Sequence, residues 1–302
     1  MPEQPADRNT NRDGVPREQR HGGSGAKNPD VAAISQQGYR HLRQGEFPEA
    51  IEHFERVLEI EPANSYALVG LGDIARKQGR AQDAVDRYTT CLEHDPENSF
   101  ALFGLADAYR SLRKYHQALE IWEQYLKHDD QNVTVLTRVA DAYRKVREKP
   151  RSRDLYLRVL QIEPDNPYAL IGLGHLHYDF REYEEALRYW MRMYELGGTS
   201  VDIRVLTSIG NCYRKLKEFS EGIPYFEQAL AREPGNFYAL FGLADCYRGL
   251  NEPEQSLVYW NRILDRDPSN KVILTRAGDA RHSMGELDEA ETCYRRALEI
   301  DD

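Results

Sequence analysis

Two columns of polar side chains recur along this chain at a spacing that places them on matching faces of matching helices. Asp73, Asp107, Asp141, His175, Asn211, Asp245 and Asp279 follow one another every 34 residues, with a single step of 36. Three residues after each stand Arg76, Arg110, Arg144, Tyr178, Arg214, Arg248 and His282. A carboxylate and a guanidinium three apart on a helix can pair with each other for ~0.2–0.5 kcal/mol, leaving a self-neutralised face. The same guanidinium can instead take carboxylates or backbone carbonyls of an extended partner, because its planar donors match such groups. Aromatic and aliphatic residues run beside both columns. Tyr66, Phe100, Tyr168 and Tyr238 occupy one place, and Val69, Phe103, Ile171 and Phe241 the place three residues on. Such side chains offer pockets to a peptide or, equally, pack between helices.

Catalytic chemistry finds no support. The chain has no Gly-rich phosphate loop, nucleophile elbow or His-Glu-x-x-His, and its nine histidines are scattered. His175 and Asp179, four apart, could share a helix face with His177 nearby, but two ligands make a poor metal site. No catalytic, cofactor-binding or metal-binding residue is predicted. Cys91, Cys212, Cys246 and Cys293 lack CxxC spacing, and Cys212 and Cys246 hold equivalent places in neighbouring repeats, as buried packing residues would.

The elements that carry these columns are read from one stretch, residues 236–269. There Ala239, Leu240, Leu243 and Ala244 recur at helical spacing, Asn251 and Pro253 interrupt, and Leu257, Trp260, Ile263 and Leu264 resume it. Asp267-Pro268 ends the second helix, since proline lacks an amide proton and restricts the residue before it. Repeating this unit gives eight segments, approximately 31–64, 65–98, 99–132, 133–166, 167–202, 203–236, 237–270 and 271–302. Their fourth residue is always aliphatic, from Ile34 to Leu274, and their eighth is always Gly or Ala. The twentieth is Ala50, Ala84, Ala118, Ser152, Ala186, Gly222, Ser256 and Ala290, so that paired helices can approach closely. The twenty-fourth is an aromatic plug each time: Phe54, Tyr88, Trp122, Tyr156, Trp190, Phe226, Trp260 and Tyr294.

These residues resemble the tetratricopeptide repeat, whose signature sets an aliphatic residue or Trp, then Leu-Gly, Tyr, Ala, Phe and Pro at these offsets. The closing proline is present as Pro62, Pro96, Pro164, Pro234 and Pro268 and replaced by Asp130, Ser200 and Asp302. The resemblance covers 31–302 and implies an all-α, right-handed α-solenoid of eight helix-turn-helix units whose first helices line a concave groove. It therefore places Tyr66, Asp73, Arg76, Phe100, Phe103, Asp107, Arg110, Asp141, Arg144, Tyr168, His175, Tyr178, Asn211, Arg214, Tyr238, Phe241, Asp245, Arg248 and Asp279 in a peptide-binding groove. Chaperone-binding members hold a terminal carboxylate with Lys and Asn at fixed places, where this chain has Ser35 and Tyr39. Glycosyltransferase-associated members carry an asparagine ladder, here replaced by aspartate.

Two departures from a uniform array stand out. Gly197-Gly198-Thr199-Ser200 carries two extra residues and is expected to kink or hinge, and Pro224 falls inside a second helix. From Ser99 onward the units alternate: those with Trp plugs read Phe/Tyr-Ala-Leu-x-Gly-Leu, and those between carry Val-Leu-Thr or Ile-Leu-Thr from Val135, Val205 and Ile273. Duplication history would account for this as well as function would.

A net charge of −10 over 302 residues argues against a general nucleic-acid or anionic-membrane surface. Residues 1–30, with five basic and five acidic residues and no apolar periodicity, read as a disordered N-terminal tail. No stretch is long and apolar enough for a signal peptide or a membrane span, so a cytoplasmic location is expected. The function expected is a non-catalytic scaffold or adaptor holding a partner protein or extended peptide. A self-assembling array remains an alternative, because the sequence stops at Asp302 without a further polar helix and would leave the last repeat open to end-to-end association. A regulatory subunit of an enzyme encoded elsewhere is the other.

Overall fold

The structure, a computed structural model, describes residues 29–300. The expected N-terminal tail lies almost wholly outside the described residues. These form sixteen α-helices, one short 3-10 turn and no strand. The helices divide into two compact units, one ending at Ile162 and the other beginning at Glu163. The first holds α1 (Pro29–Gln44), α2 (Phe47–Ile60), α3 (Ser65–Lys77), α4 (Ala81–His94), α5 (Ser99–Ser111), α6 (Tyr115–Leu126), α7 (Val133–Lys145) and α8 (Lys149–Ile162). The second holds α9 (Pro167–Asp179), α10 (Tyr183–Gly197), α11 (Ile203–Leu216), α12 (Phe219–Arg232), α13 (Phe237–Gly249), α14 (Pro253–Leu264), α15 (Lys271–Ser283) and α16 (Leu287–Leu298). Odd-numbered helices are the first of each pair and even-numbered ones the second.

Each pair closes on its aromatic plug. Phe54, Tyr88, Trp122, Tyr156, Phe226 and Trp260 are fully buried. The small eighth residue is what admits the ring: a Cβ on Gly72 would come within 2.6 Å of Tyr88, and one on Gly210 within 2.7 Å of Phe226. A second glycine, at the sixth place of the following repeat, presses on the other side of the same ring. A Cβ on Gly70 would stand 2.5 Å from Phe54, on Gly104 2.3 Å from Tyr88, and on Gly242 2.3 Å from Phe226. The plug is thus clamped between its own first helix and the next one, which is how a pair too small to close a core borrows its neighbour.

The turns repeat as faithfully as the helices. Asn64, Asn98, Asn132, Asn166, Asn236 and Asn270 each cap a first helix, accepting the backbone N–H three residues on at 3.0–3.1 Å. Each cap is itself held, because its amide donates to the carboxylate three residues earlier, as Asn64 does to Glu61 at 2.6 Å. Asp202 does the capping where the spacing is longer. Between the two helices of every pair one residue adopts positive φ: Gly45, Gly79, Arg113, Arg147, Arg181, Lys217, Asn251 and Gly285.

The glycine pair closes a helix. Helix α10 runs on through Gly197, and Gly198, at φ 50°, opens a 3-10 turn over Gly198–Ser200 that delivers buried Val201 to the core. The two extra residues lengthen a helix and lie inside the second unit, whereas the division of the fold falls after Ile162. Helix α12 continues past Pro224.

Candidate functional site

First helices touch one another within each unit, α3 meeting both α1 and α5, and α11 meeting α13. The outward faces of the first helices form the walls on which the two polar columns lie. The aspartates are held in two different ways, decided by the plug beneath. Where the plug is tyrosine, its hydroxyl donates to the aspartate: Tyr88 to Asp73 at 2.6 Å, Tyr156 to Asp141 at 2.6 Å and Tyr294 to Asp279 at 3.0 Å. Where the plug is tryptophan no hydroxyl is available, and an arginine of the preceding repeat reaches across. Arg76 bonds Asp107 at 3.1 Å, over Trp122, and Arg214 bonds Asp245 at 2.6 Å, over Trp260.

Asp107 collects the most. It lies 3% exposed and also accepts Arg110 at 2.9 Å and Arg138 from the following repeat. Asp245 takes Arg248 at 2.6 Å from its own helix. Burial, the largest influence on both carboxyls, pushes them up, but the arginines outweigh it: Arg138, Arg110 and Arg76 hold Asp107 below the usual carboxylate range, and Arg248 and Arg214 do so for Asp245. Asp73 goes the other way. Its burial prevails over Tyr88 and Arg76 and raises its carboxyl, which favours the neutral form.

Among the other expected groove residues, Tyr66, Tyr168 and Tyr238 are exposed by 57, 59 and 67% respectively, while Phe100 and Phe241 are half-buried. Phe103 is inside, at 2% exposure, edge-on to Tyr125 and covered by the Arg138 guanidinium 5.0 Å above its ring. Phe103 and Asp107 thus close the wall instead of facing outward. Phe241 meets the edge of Trp260 at 5.1 Å with Arg214 over its other side. Arg144 bonds Asp141 at 3.4 Å, and Arg214 takes Asn211 as well as Asp245. Tyr178 packs edge-on against Tyr183, and burial raises its phenol.

His175 and His177 do not converge. His175 is exposed and lies edge-on to Trp190 at 4.9 Å, whereas His177 is buried, bonded to Glu182 at 2.7 Å and stacked on Tyr189. Among the described residues no group of three His, Cys, Asp or Glu side chains is gathered as for a metal. Cys91, Cys212 and Cys246 are buried free thiols; burial pushes Cys91 up to about 11 and the other two up to about 12, so they are poor nucleophiles at neutral pH.

Sequence reasoning missed Arg138. The signal was present: the sixth residue of a unit is Gly70, Gly104, Gly172 or Gly242 after a Phe or Tyr plug, but Arg138, Ser208 or Arg276 after a Trp plug. The two-repeat alternation therefore coincides with a change in packing and in how the aspartate is held.

Family profiles described as tetratricopeptide repeat match residues 35–99, 137–200, 75–140, 203–236, 238–270 and 273–302. The chain belongs to the tetratricopeptide repeat family, whose fold is that of protein–protein interaction scaffolds. No curated protein matches it. Among solved structures it is similar to a tetratricopeptide repeat protein of Parabacteroides merdae, at 16% identity over 89% of this chain and 98% of that one, with a TM-score of 0.61. The C-terminal part of a repeat protein of Cytophaga hutchinsonii aligns at 14% identity over 80% and 98%, with a TM-score of 0.66. YrrB, described as a repeat protein with an unusual peptide-binding site, aligns at 19% identity over 62% and 95%, with a TM-score of 0.52. At these identities the likeness is one of fold. No helix among the described residues is long and apolar enough to cross a membrane.

Proposed function

We propose that this protein is a non-catalytic adaptor that holds a partner protein or extended peptide against the walls formed by its first helices. The observation that carries this reading is the set Tyr66, Tyr168 and Tyr238, three large rings at one repeat position, each more than half exposed. Surface tyrosines in register supply contact area at low entropic cost. Arginines of the second column lie on two of these three helices, Arg76 with Tyr66 on α3 and Arg248 with Tyr238 on α13, and the peptide-binding site in the description of YrrB is in keeping with this use of the fold. The test is affinity capture with the full chain and identification of what elutes, followed by recapture with Arg110→Glu and Arg248→Glu together. Loss of the eluted partner, with circular dichroism unchanged and with Glu120→Arg plus Glu227→Arg on second helices harmless, supports the reading. Equal loss with the second-helix pair refutes it.

Self-association is a second reading, favoured by Leu287 and Leu298 on α16, exposed by 61 and 81%. Light scattering across concentration separates it from a monomeric adaptor.

A further inference from the structure

The charge of this protein is sorted by helix. The eight first helices carry fifteen Lys and Arg against seven Asp and Glu, a net +8, or +4 in each unit. The eight second helices carry twelve against nineteen, a net −7. A chain of net charge −10 thus presents its positive charge on the first-helix walls.

That charge is concentrated where the aspartate column meets tryptophan plugs. Asp107 is one carboxylate shared by Arg76, Arg110 and Arg138. Asp73, the other carboxylate bonded to Arg76, already holds the Tyr88 hydroxyl, so the cluster keeps an excess of positive charge. Arg110 spends only its Nε–H on Asp107, and its side chain is 42% exposed, so both Nη groups remain open to a ligand. In the second unit Arg214 and Arg248 share Asp245, again two guanidiniums on one carboxylate, with the Arg248 side chain 47% exposed. Fixing several guanidiniums around one buried carboxylate removes most of the freedom they would otherwise lose on binding an anion.

Resting on the reading above, we infer that each of the two arginine clusters, Arg76-Arg110-Arg138 in the first unit and Arg214-Arg248 in the second, binds carboxylate side chains of an extended acidic segment whose apolar residues lie on the first-helix tyrosine of the same unit, Tyr66 or Tyr238. The shared aspartates, Asp107 buried and Asp245 half-buried, act as holders for the arginines, and the partner supplies the carboxylate that completes each cluster. A planar carboxylate fits the open Nη pair of Arg110 with two parallel hydrogen bonds, and at Arg248, whose Nε and Nη2 bond Asp245, it meets the remaining Nη1. Such contacts weaken as salt rises, because the outer guanidiniums are solvent-exposed.

The experiment uses the full chain and three fluorescent peptides of about twelve residues with identical Leu and Tyr positions, the intervening residues being Glu, Gln or Lys. Anisotropy titration is expected to give the Glu peptide an affinity at least about tenfold above the Gln peptide, with the Lys peptide weakest. Arg110→Gln with Arg248→Gln, both at the exposed edge of their clusters, should bring the Glu peptide down to the Gln level. Arg87→Gln with Arg188→Gln, on second helices, should leave it unchanged. Equal affinity for Glu and Gln peptides, with binding lost in Tyr66→Ala plus Tyr238→Ala, overturns the acidic assignment and leaves the groove standing. Failure of every peptide to bind overturns the acidic assignment, and binding indifferent to both the arginine and the tyrosine changes overturns the groove as well. Tighter binding of a labelled single-stranded oligonucleotide than of the Glu peptide also contradicts the inference.

Discussion

Asp107 shows how one side chain links stability to the surface chemistry of the wall. It is buried, bonded by three arginines, and sits over a tryptophan that offers it no hydroxyl. Asp107→Asn should lower stability at neutral pH by about 3 kcal/mol, the usual order when one partner of a buried ion pair is removed, as read by urea unfolding. Its pH dependence has a definite sign. An unfolded aspartate titrates near ~3.9, and the folded Asp107 carboxyl lies lower, so between the two values the unfolded chain binds more protons and stability rises with pH. This contribution is complete above the unfolded value and is lost as pH falls through the folded one. The variant should therefore show a shallower acid limb than the natural protein; an identical slope would mean the carboxyl is not held low. The aspartate and arginine columns and their pairing within one helix were legible as sequence, but the bonds between repeats were not, because they depend on whether the plug fifteen residues on is Tyr or Trp and on Arg138, whose sixth place reads as glycine in half of the units.

The helix pairs themselves were legible almost residue by residue. Each column of small or aromatic residues records a contact made eight times, so chance variation in one copy is corrected by the others. Phe103 marks the limit of that reading. Its place is equivalent to half-buried Phe241, yet Tyr125 of the paired helix seals it and Arg138 of the next repeat folds over it, a contact that no spacing within its own repeat reveals. The positive-φ turn residue was likewise missed, since Arg and Lys fill it four times and Gly three. Left-handed backbone strains side chains that glycine avoids, so Arg113→Gly, Arg147→Gly and Arg181→Gly should each stabilise by up to about 1 kcal/mol. Gly45→Ala, at φ 81° with nothing within 4 Å of its Cβ, should destabilise through backbone strain alone. Urea midpoints compare the four; a loss in the three arginine variants would show that those side chains contribute more than their turn costs.

At the scale of the whole molecule, regular sequence spacing does not reveal the division after Ile162, and the inserted glycine pair, the one break in that spacing, lies elsewhere. What the spacing does convey is the assignment of work: second helices carry the acidic surface, and first helices carry exposed tyrosines beside arginines. Partner identity is not encoded in that arrangement, because the contacts that stabilise a repeat are the same whatever it binds.

The most direct measurement is photo-crosslinking of the full chain with a benzophenone amino acid placed singly at Tyr66 or Tyr238, on first helices, or at Ile60 or Val258, exposed by 50 and 51% on second helices. These positions match in exposure and differ in wall. The account predicts that the captured partner crosslinks at Tyr66 and Tyr238 and not at Ile60 or Val258. Crosslinks confined to Ile60 and Val258 would contradict it.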